Sequence, residues 1–183
     1  VGLAVSIDTG SELSLHPKNK KPIGIRHAYL ALRNVYGKEV VAHGPFYKSH
    51  QVKGSEVVLT FDSVGSGLMT GRKGKLNAFA IAGKDQKWEW GDAEIKGAIV
   101  VVSSSKMPNP VSVRYAWAMN PSQRNLLYNK EGLPASPFRT DDWPLFDPKN
   151  DKEVMITKPV IDLQDKQAQK RAAKDWARPE MIQ

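Results

Sequence analysis

Phe46-Tyr47-Lys48-Ser49-His50-Gln51-Val52 and Glu56-Val57-Val58-Leu59-Thr60-Phe61, joined by Lys53-Gly54-Ser55, decide the fold class of this chain. β-branched and aromatic residues on either side of a glycine turn read as a β-hairpin. Reading toward the C-terminus, the same pattern recurs in Ala78-Phe79-Ala80-Ile81-Ala82, Trp88-Glu89-Trp90, Ala93-Glu94-Ile95, residues 98–103 and residues 111–117. Gly, Asn, Asp or Pro separate these runs, and Lys96-Gly97 forms a second tight turn. Short strands at regular spacing, with no helical period between them, predict an antiparallel β-sandwich.

Reading toward the N-terminus, the pattern changes. Residues 2–7 (Gly2-Leu3-Ala4-Val5-Ser6-Ile7) are short, apolar and stopped by Asp8-Thr9-Gly10, which predicts a buried strand. A loop carrying Leu15-His16-Pro17 follows, and then a helix over 20–36 with Asn19 as N-cap and Gly37 just past its end. Gly24, Ala28, Ala31, Leu32 and Val35 form a stripe of mostly small residues suited to close packing on a sheet. Strand, loop and helix together form the last unit of an α/β domain. Beyond the strands, residues 118–148 read as an ordered loop excursion, with Leu126, Leu127, Tyr128, Leu133, Phe138, Trp143 and Phe146 able to pack. Residues 162–177 read as a peripheral charged helix. The predicted domains are 1–37, 38–143 and a C-terminal extension over 144–183.

Composition bounds the function. The 183 residues carry a net charge of +8, and residues 16–54 hold eight Lys or Arg against Glu39 alone. Such a stretch attracts anions, but the usual nucleic-acid-binding motifs are absent and a solvated basic face is the expectation. Nucleic-acid binding there would fall steeply with salt. With no cysteine there is no disulfide, thiolate nucleophile or cysteine-based metal site. The longest apolar runs fall far short of the ~20 residues that span a bilayer. No signal peptide is visible, and a start at Val1 is expected to reflect processing or a boundary upstream.

The four histidines, His16, His27, His43 and His50, show no i,i+4 or His-x-His spacing, so neither a metal nor another cofactor is expected. His27, His43 and His50 are expected on the surface. His16 follows a predicted strand end, where open α/β sheets gather reactive groups, and an imidazole there can accept a proton near neutral pH. Such a base needs an acceptor at its other ring nitrogen. Leu13 stands three residues earlier, where an aspartate would serve, which leaves Glu12, Ser14, Asp8 or a backbone carbonyl near Leu13. No serine lies in a Gly-x-Ser-x-Gly elbow, and Gly65-Ser66-Gly67 reads as a turn.

Val5-Ser6-Ile7-Asp8-Thr9-Gly10, Leu15-His16-Pro17, Lys20, Gly24, Arg26 and Tyr36-Gly37 resemble the end of the catalytic domain of sialate O-acetylesterases. Gly44-Pro45, Phe61, Gly65-Ser66-Gly67-Leu68, Phe79-Ala80-Ile81-Ala82-Gly83 and Arg114-Tyr115-Ala116-Trp117 continue the likeness. So does Leu127-Tyr128-Asn129-Lys130-Glu131-Gly132-Leu133-Pro134-Ala135-Ser136-Pro137-Phe138-Arg139-Thr140-Asp141, and the match runs over residues 1–143. The resemblance implies the last strand–loop–helix unit of an SGNH hydrolase domain, flavodoxin-like α/β, followed by a β-sandwich. It implies metal-free hydrolysis of O-acetyl esters on sialic acid or related sugars, in a secreted or periplasmic enzyme with no nucleic-acid or membrane partner. His16 matches the family's catalytic histidine, with a backbone carbonyl able to orient it in a Ser-His dyad. The serine and its Gly and Asn oxyanion donors are expected upstream of Val1 or on a partner chain. Without that α/β half, the small-residue face of the helix is expected to be exposed. The alternative is a non-catalytic carbohydrate-binding or scaffolding module, with Trp88, Trp90, Trp117 or Trp143 stacking on sugar. Packing is the ordinary use of the Trp88 and Trp90 pair.

Overall fold

The hairpin at residues 46–62 is part of a β-rich body. The computed structural model describes residues 1–10, 16–71, 74–118, 121 and 123–144. All lie in the unit that runs from Val1 to Leu145. Among them one helix, α1 (Lys21–Asn34), precedes the strands β1 (Phe46–Lys53), β2 (Glu56–Asp62), β3 (Leu68–Thr70), β4 (Phe79–Ala82) and β5 (Trp88–Trp90). There follow β6 (Asp92–Lys96), β7 (Ile99–Ser103), β8 (Ser112–Tyr115), β9 (Leu127–Asn129) and β10 (Phe138–Arg139). One sheet has the order β1-β2-β7-β6, a second β10-β8-β4-β5, and β3 pairs with β9. Every pairing is antiparallel.

Lys53 pairs with Glu56, so Gly54 and Ser55 alone make the turn, and Gly54 adopts φ +58°. A Cβ on Gly54 would meet nothing within 4 Å, so the cost of a side chain is purely conformational. Gly54→Ala is expected to cost about 1 kcal/mol. In a chain of this size that lowers Tm by roughly 2–4 °C, which differential scanning calorimetry would read directly.

The period of two shows in β2, where Val57, Leu59 and Phe61 are buried between half-buried neighbours. With Val100 and Val102 of β7 they join Phe79, Ile81, Val113 and Tyr115 from the second sheet in one hydrophobic cluster. Phe138 is the aromatic centre of that cluster. Its ring stacks on Tyr47 at 4.8 Å and lies 5.6 Å from Tyr115 and 5.8 Å from Phe61. In β4 and β8 the outward residues are buried as well. There Arg114 packs over the Trp88 ring at 4.3 Å and holds Asp141 with Nε and Nη2, at 2.8 and 2.7 Å.

Three sequence expectations are corrected. Residues 2–7 form no strand, because no described strand supplies them with ladder hydrogen bonds. They run beside α1 instead, where a Cβ on Gly2 would lie 2.9 Å from the Leu30 side chain and Arg26 takes the Val5 carbonyl at 2.8 Å. The helix spans Lys21–Asn34 rather than 20–36, with Lys20 in the cap position. Gly37 does turn the chain at φ +61°, and Lys38 N–H closes back on the Leu32 carbonyl at 2.9 Å. The buried residues of α1 are Arg26 and Leu30; Gly24, Ala28, Leu32 and Val35 face outward, as expected of this face without an α/β half, and Ala31 is half-buried. Finally, the excursion at 118–148 contributes β9 and β10, and β3 escaped the sequence reading. The helix expected at 162–177 and the extension from 145 onward lie outside the described residues.

Candidate functional site

His16 is exposed, ahead of a braced turn into α1. Lys20 Nζ donates to the Pro17 carbonyl at 2.9 Å, and Lys21 N–H donates to Asn19 Oδ1 at 3.2 Å. Asn19 therefore serves the helix start from one residue before the cap. Pro22 sits in the first turn, where a missing N–H costs nothing.

On the other side of the His16 loop, the Thr9 N–H and hydroxyl both donate to the Ser6 carbonyl, at 3.1 and 2.8 Å. Asp8, inside that turn, meets Arg26 of α1 in a two-pronged ion pair. Nη1 reaches Oδ1 at 2.7 Å and Nη2 reaches Oδ2 at 2.6 Å, with side-chain exposures of 7% for Arg26 and 13% for Asp8. The Tyr128 hydroxyl of β9 donates to Oδ2 of the same carboxylate at 3.0 Å. Burial, followed by the Asp8 charge and its hydrogen bond, pushes the Tyr128 phenol far above its ordinary range, so it remains a donor. Both oxygens of Asp8 thus serve Arg26 and Tyr128, and the residue is an anchor between segments. Leu13 and Ser14, with Glu12, lie outside the described residues.

The remaining histidines are engaged in structure. His27 Nδ1 lies 2.8 Å from the Ile23 carbonyl one turn back, and His50 Nδ1 lies 2.7 Å from the Tyr47 hydroxyl. His27 is exposed as expected, but His43 and His50 are half-buried. His43 lines a cavity of about 10 Å³ with Val5, Arg26, Phe46 and Pro134, room for a single water. Burial, and then the Arg33 charge, lower its pKa, and its Nδ1 is buried without a hydrogen-bond partner. Gly44 beside it is obligatory, since a Cβ would lie 2.0 Å from the Pro134 carbonyl oxygen.

Gly65-Ser66-Gly67 is a turn, as the sequence suggests, with Gly65 at φ +56° and Gly67 at φ +130°. The Ser66 N–H and hydroxyl both donate to Glu131 Oε1, and the hydroxyl's bond holds Glu131 below the usual carboxylate range. Trp88 is half-buried between Arg114 and Trp143, whose ring lies 5.6 Å away. Arg139 lies over Trp117 at 5.8 Å, and Trp90 is 37% exposed. Among the described residues, no three His, Cys, Asp or Glu gather where they could hold a metal ion. No described helix is long and apolar enough to cross a membrane.

Nothing local in the sequence singles out Arg26 and Tyr128 as partners of Asp8. Asp8 and Tyr128 stand 120 positions apart, and no local pattern joins them.

A solved structure of a carbohydrate acetylesterase from Xanthomonas citri is similar to this chain, at 42% identity and a TM-score of 0.73. The match covers 76% of this chain and 32% of that enzyme, so the chain spans about a third of its length. No family model matches the chain, and no curated protein does. Antiparallel sheets with one helix, as seen in this chain, therefore occur within a carbohydrate acetylesterase.

Proposed function

We propose that this chain is part of a carbohydrate esterase that removes acetyl groups from sugars. The likeness to the Xanthomonas citri acetylesterase, at 42% identity, carries this reading. The sequence resemblance to sialate O-acetylesterases refines it. Residues 1–10 and α1 then close an SGNH-type α/β domain, and the two four-stranded sheets are its companion β-sandwich. The outward stripe of Gly24, Ala28, Leu32 and Val35 is consistent with a helix that packs against further polypeptide.

In this mechanism a serine outside the 183 residues attacks the acetyl carbonyl, and His16 takes the proton from its hydroxyl. Donors beside that serine stabilise the oxyanion. His16 returns the proton to the departing sugar oxygen, which leaves an acetyl-serine. It then takes a proton from water, whose oxygen attacks the acetyl carbon. It gives that proton to the serine oxygen as the acyl bond breaks, and the acetyl group leaves as acetic acid, which ionises to acetate. The step needs no cofactor. The substrate is an O-acetylated sugar, sialic acid or a relative, and the setting secreted or periplasmic.

The 183-residue chain alone, lacking the nucleophile, is expected to show no turnover of 4-nitrophenyl acetate above buffer. Polypeptide that includes the serine is expected to release acetate from O-acetylated sialic acid. Turnover by the chain alone that disappears in His16→Ala would place the nucleophile within these residues instead. Absence of acetate release from any O-acetylated sugar by the longer polypeptide would defeat the esterase reading.

A further inference from the structure

We infer that Tyr128 is a positioning residue for His16, acting through the Asp8–Arg26 ion pair. The inference rests on the proposed role of His16 as proton acceptor.

His16 lies in sequence between the two partners of one buried ion pair. Asp8 precedes it, in the turn held by Thr9 on the Ser6 carbonyl, and Arg26 follows it on the buried face of α1. The pair therefore joins the segment before His16 to the helix that follows it, and bidentate geometry fixes orientation as well as distance. Arg26 adds a third bond, to the Val5 carbonyl at 2.8 Å, so the segment entering the turn is held too.

The ion pair itself joins α1 to the N-terminal segment. Tyr128 links it by a hydrogen bond to the β-rich body. Its hydroxyl meets Asp8 Oδ2 at 3.0 Å, and its backbone pairs with Met69 in β3 and with Pro134. Its ring is confined, since a Cβ on Gly71 would lie 2.7 Å from Tyr128 Cε2. Tyr128 is 8% exposed, and the neighbouring Leu127 N–H donates to the buried Tyr115 hydroxyl at 2.9 Å. Strand β9 thus presents one hydroxyl to the Asp8 carboxylate. A base must be held close to its productive geometry, and a displacement of about 1 Å can cost 10²-fold in rate. Through this contact the β body sets where His16 stands.

Tyr128→Phe removes only the hydroxyl and keeps the ring against Gly71. In the polypeptide that contains the serine, it is expected to lower kcat on 4-nitrophenyl acetate about tenfold while KM stays within about twofold. Gly54→Ala, at the tip of the β1–β2 hairpin, is the control for loss of stability alone and is expected to leave kcat unchanged. Loss of activity in His16→Ala with wild-type kcat in Tyr128→Phe would overturn the positioning role and leave the esterase reading standing. The positioning role falls equally if Gly54→Ala lowers kcat as far as Tyr128→Phe does. Full activity in His16→Ala would remove the base itself, and the positioning role with it.

Discussion

His16→Ala, in polypeptide that carries the serine, is expected to lower kcat for acetyl ester hydrolysis by about 10²–10⁴-fold, the usual contribution of a positioned general base. KM should change little. The imidazole acts on the serine proton as the bond to the acetyl carbon forms, and that interaction is made in the transition state rather than with bound ester. The exposure of His16 and the braced turn from Pro17 to Lys21 also mean that truncation to alanine empties no core site. Stability should therefore hold, and the loss should read as chemistry. Steady-state kinetics on 4-nitrophenyl acetate, with the melting temperature measured on the same preparations, separate the two. A loss under about tenfold would return His16 to a structural role in the turn before α1.

The sequence made parts of this architecture readable for definite reasons. The β1–β2 hairpin carries its own signal, since glycine at a left-handed turn position and alternating apolar residues are local features. Strands β3 and β9 carry none. Each has three residues, and they pair across more than fifty positions, so only the tertiary fold assigns them. Residues 2–7 mislead for the opposite reason. Their composition is that of a buried strand, but no described strand lies alongside, and the Val5 carbonyl accepts from Arg26 of α1 instead. The candidate site divides in the same way. His16 is marked by its neighbours in the chain, whereas the anchoring of its loop depends on Arg26, a charged residue on what reads as a polar helix face. Its burial follows from Asp8 and Tyr128, and neither partner is visible from the helix itself.

The buried pair on the outer face of the second sheet supports the other large effect. Asp141 is fully buried in its side chain and Arg114 is 10% exposed. Asp141→Ala is expected to destabilise the domain by about 3–5 kcal/mol, because it takes the neutralising carboxylate from a largely buried guanidinium packed over Trp88. Replacing both partners by leucine should cost much less, since the penalty lies in burying the Arg114 charge without the Asp141 carboxylate rather than in the absence of the pair. The pH dependence gives an independent check. Burial alone would raise the Asp141 carboxyl, but the Arg114 hydrogen bonds and charge, with Arg139 behind them, hold it below the usual carboxylate range. A carboxyl whose folded pKa is depressed stabilises fully above its unfolded value, ~3.9, and that stabilisation is lost as pH falls through the lower folded value. Urea unfolding of the wild type should therefore lose stability below about pH 4, with a shallower decline in the double leucine variant. Equal acid dependence in both would place the acid-sensitive carboxylate elsewhere. An Asp141→Ala loss no larger than that of the double variant would mean that water reaches Arg114, and that the Trp88 face is more open than its packing indicates.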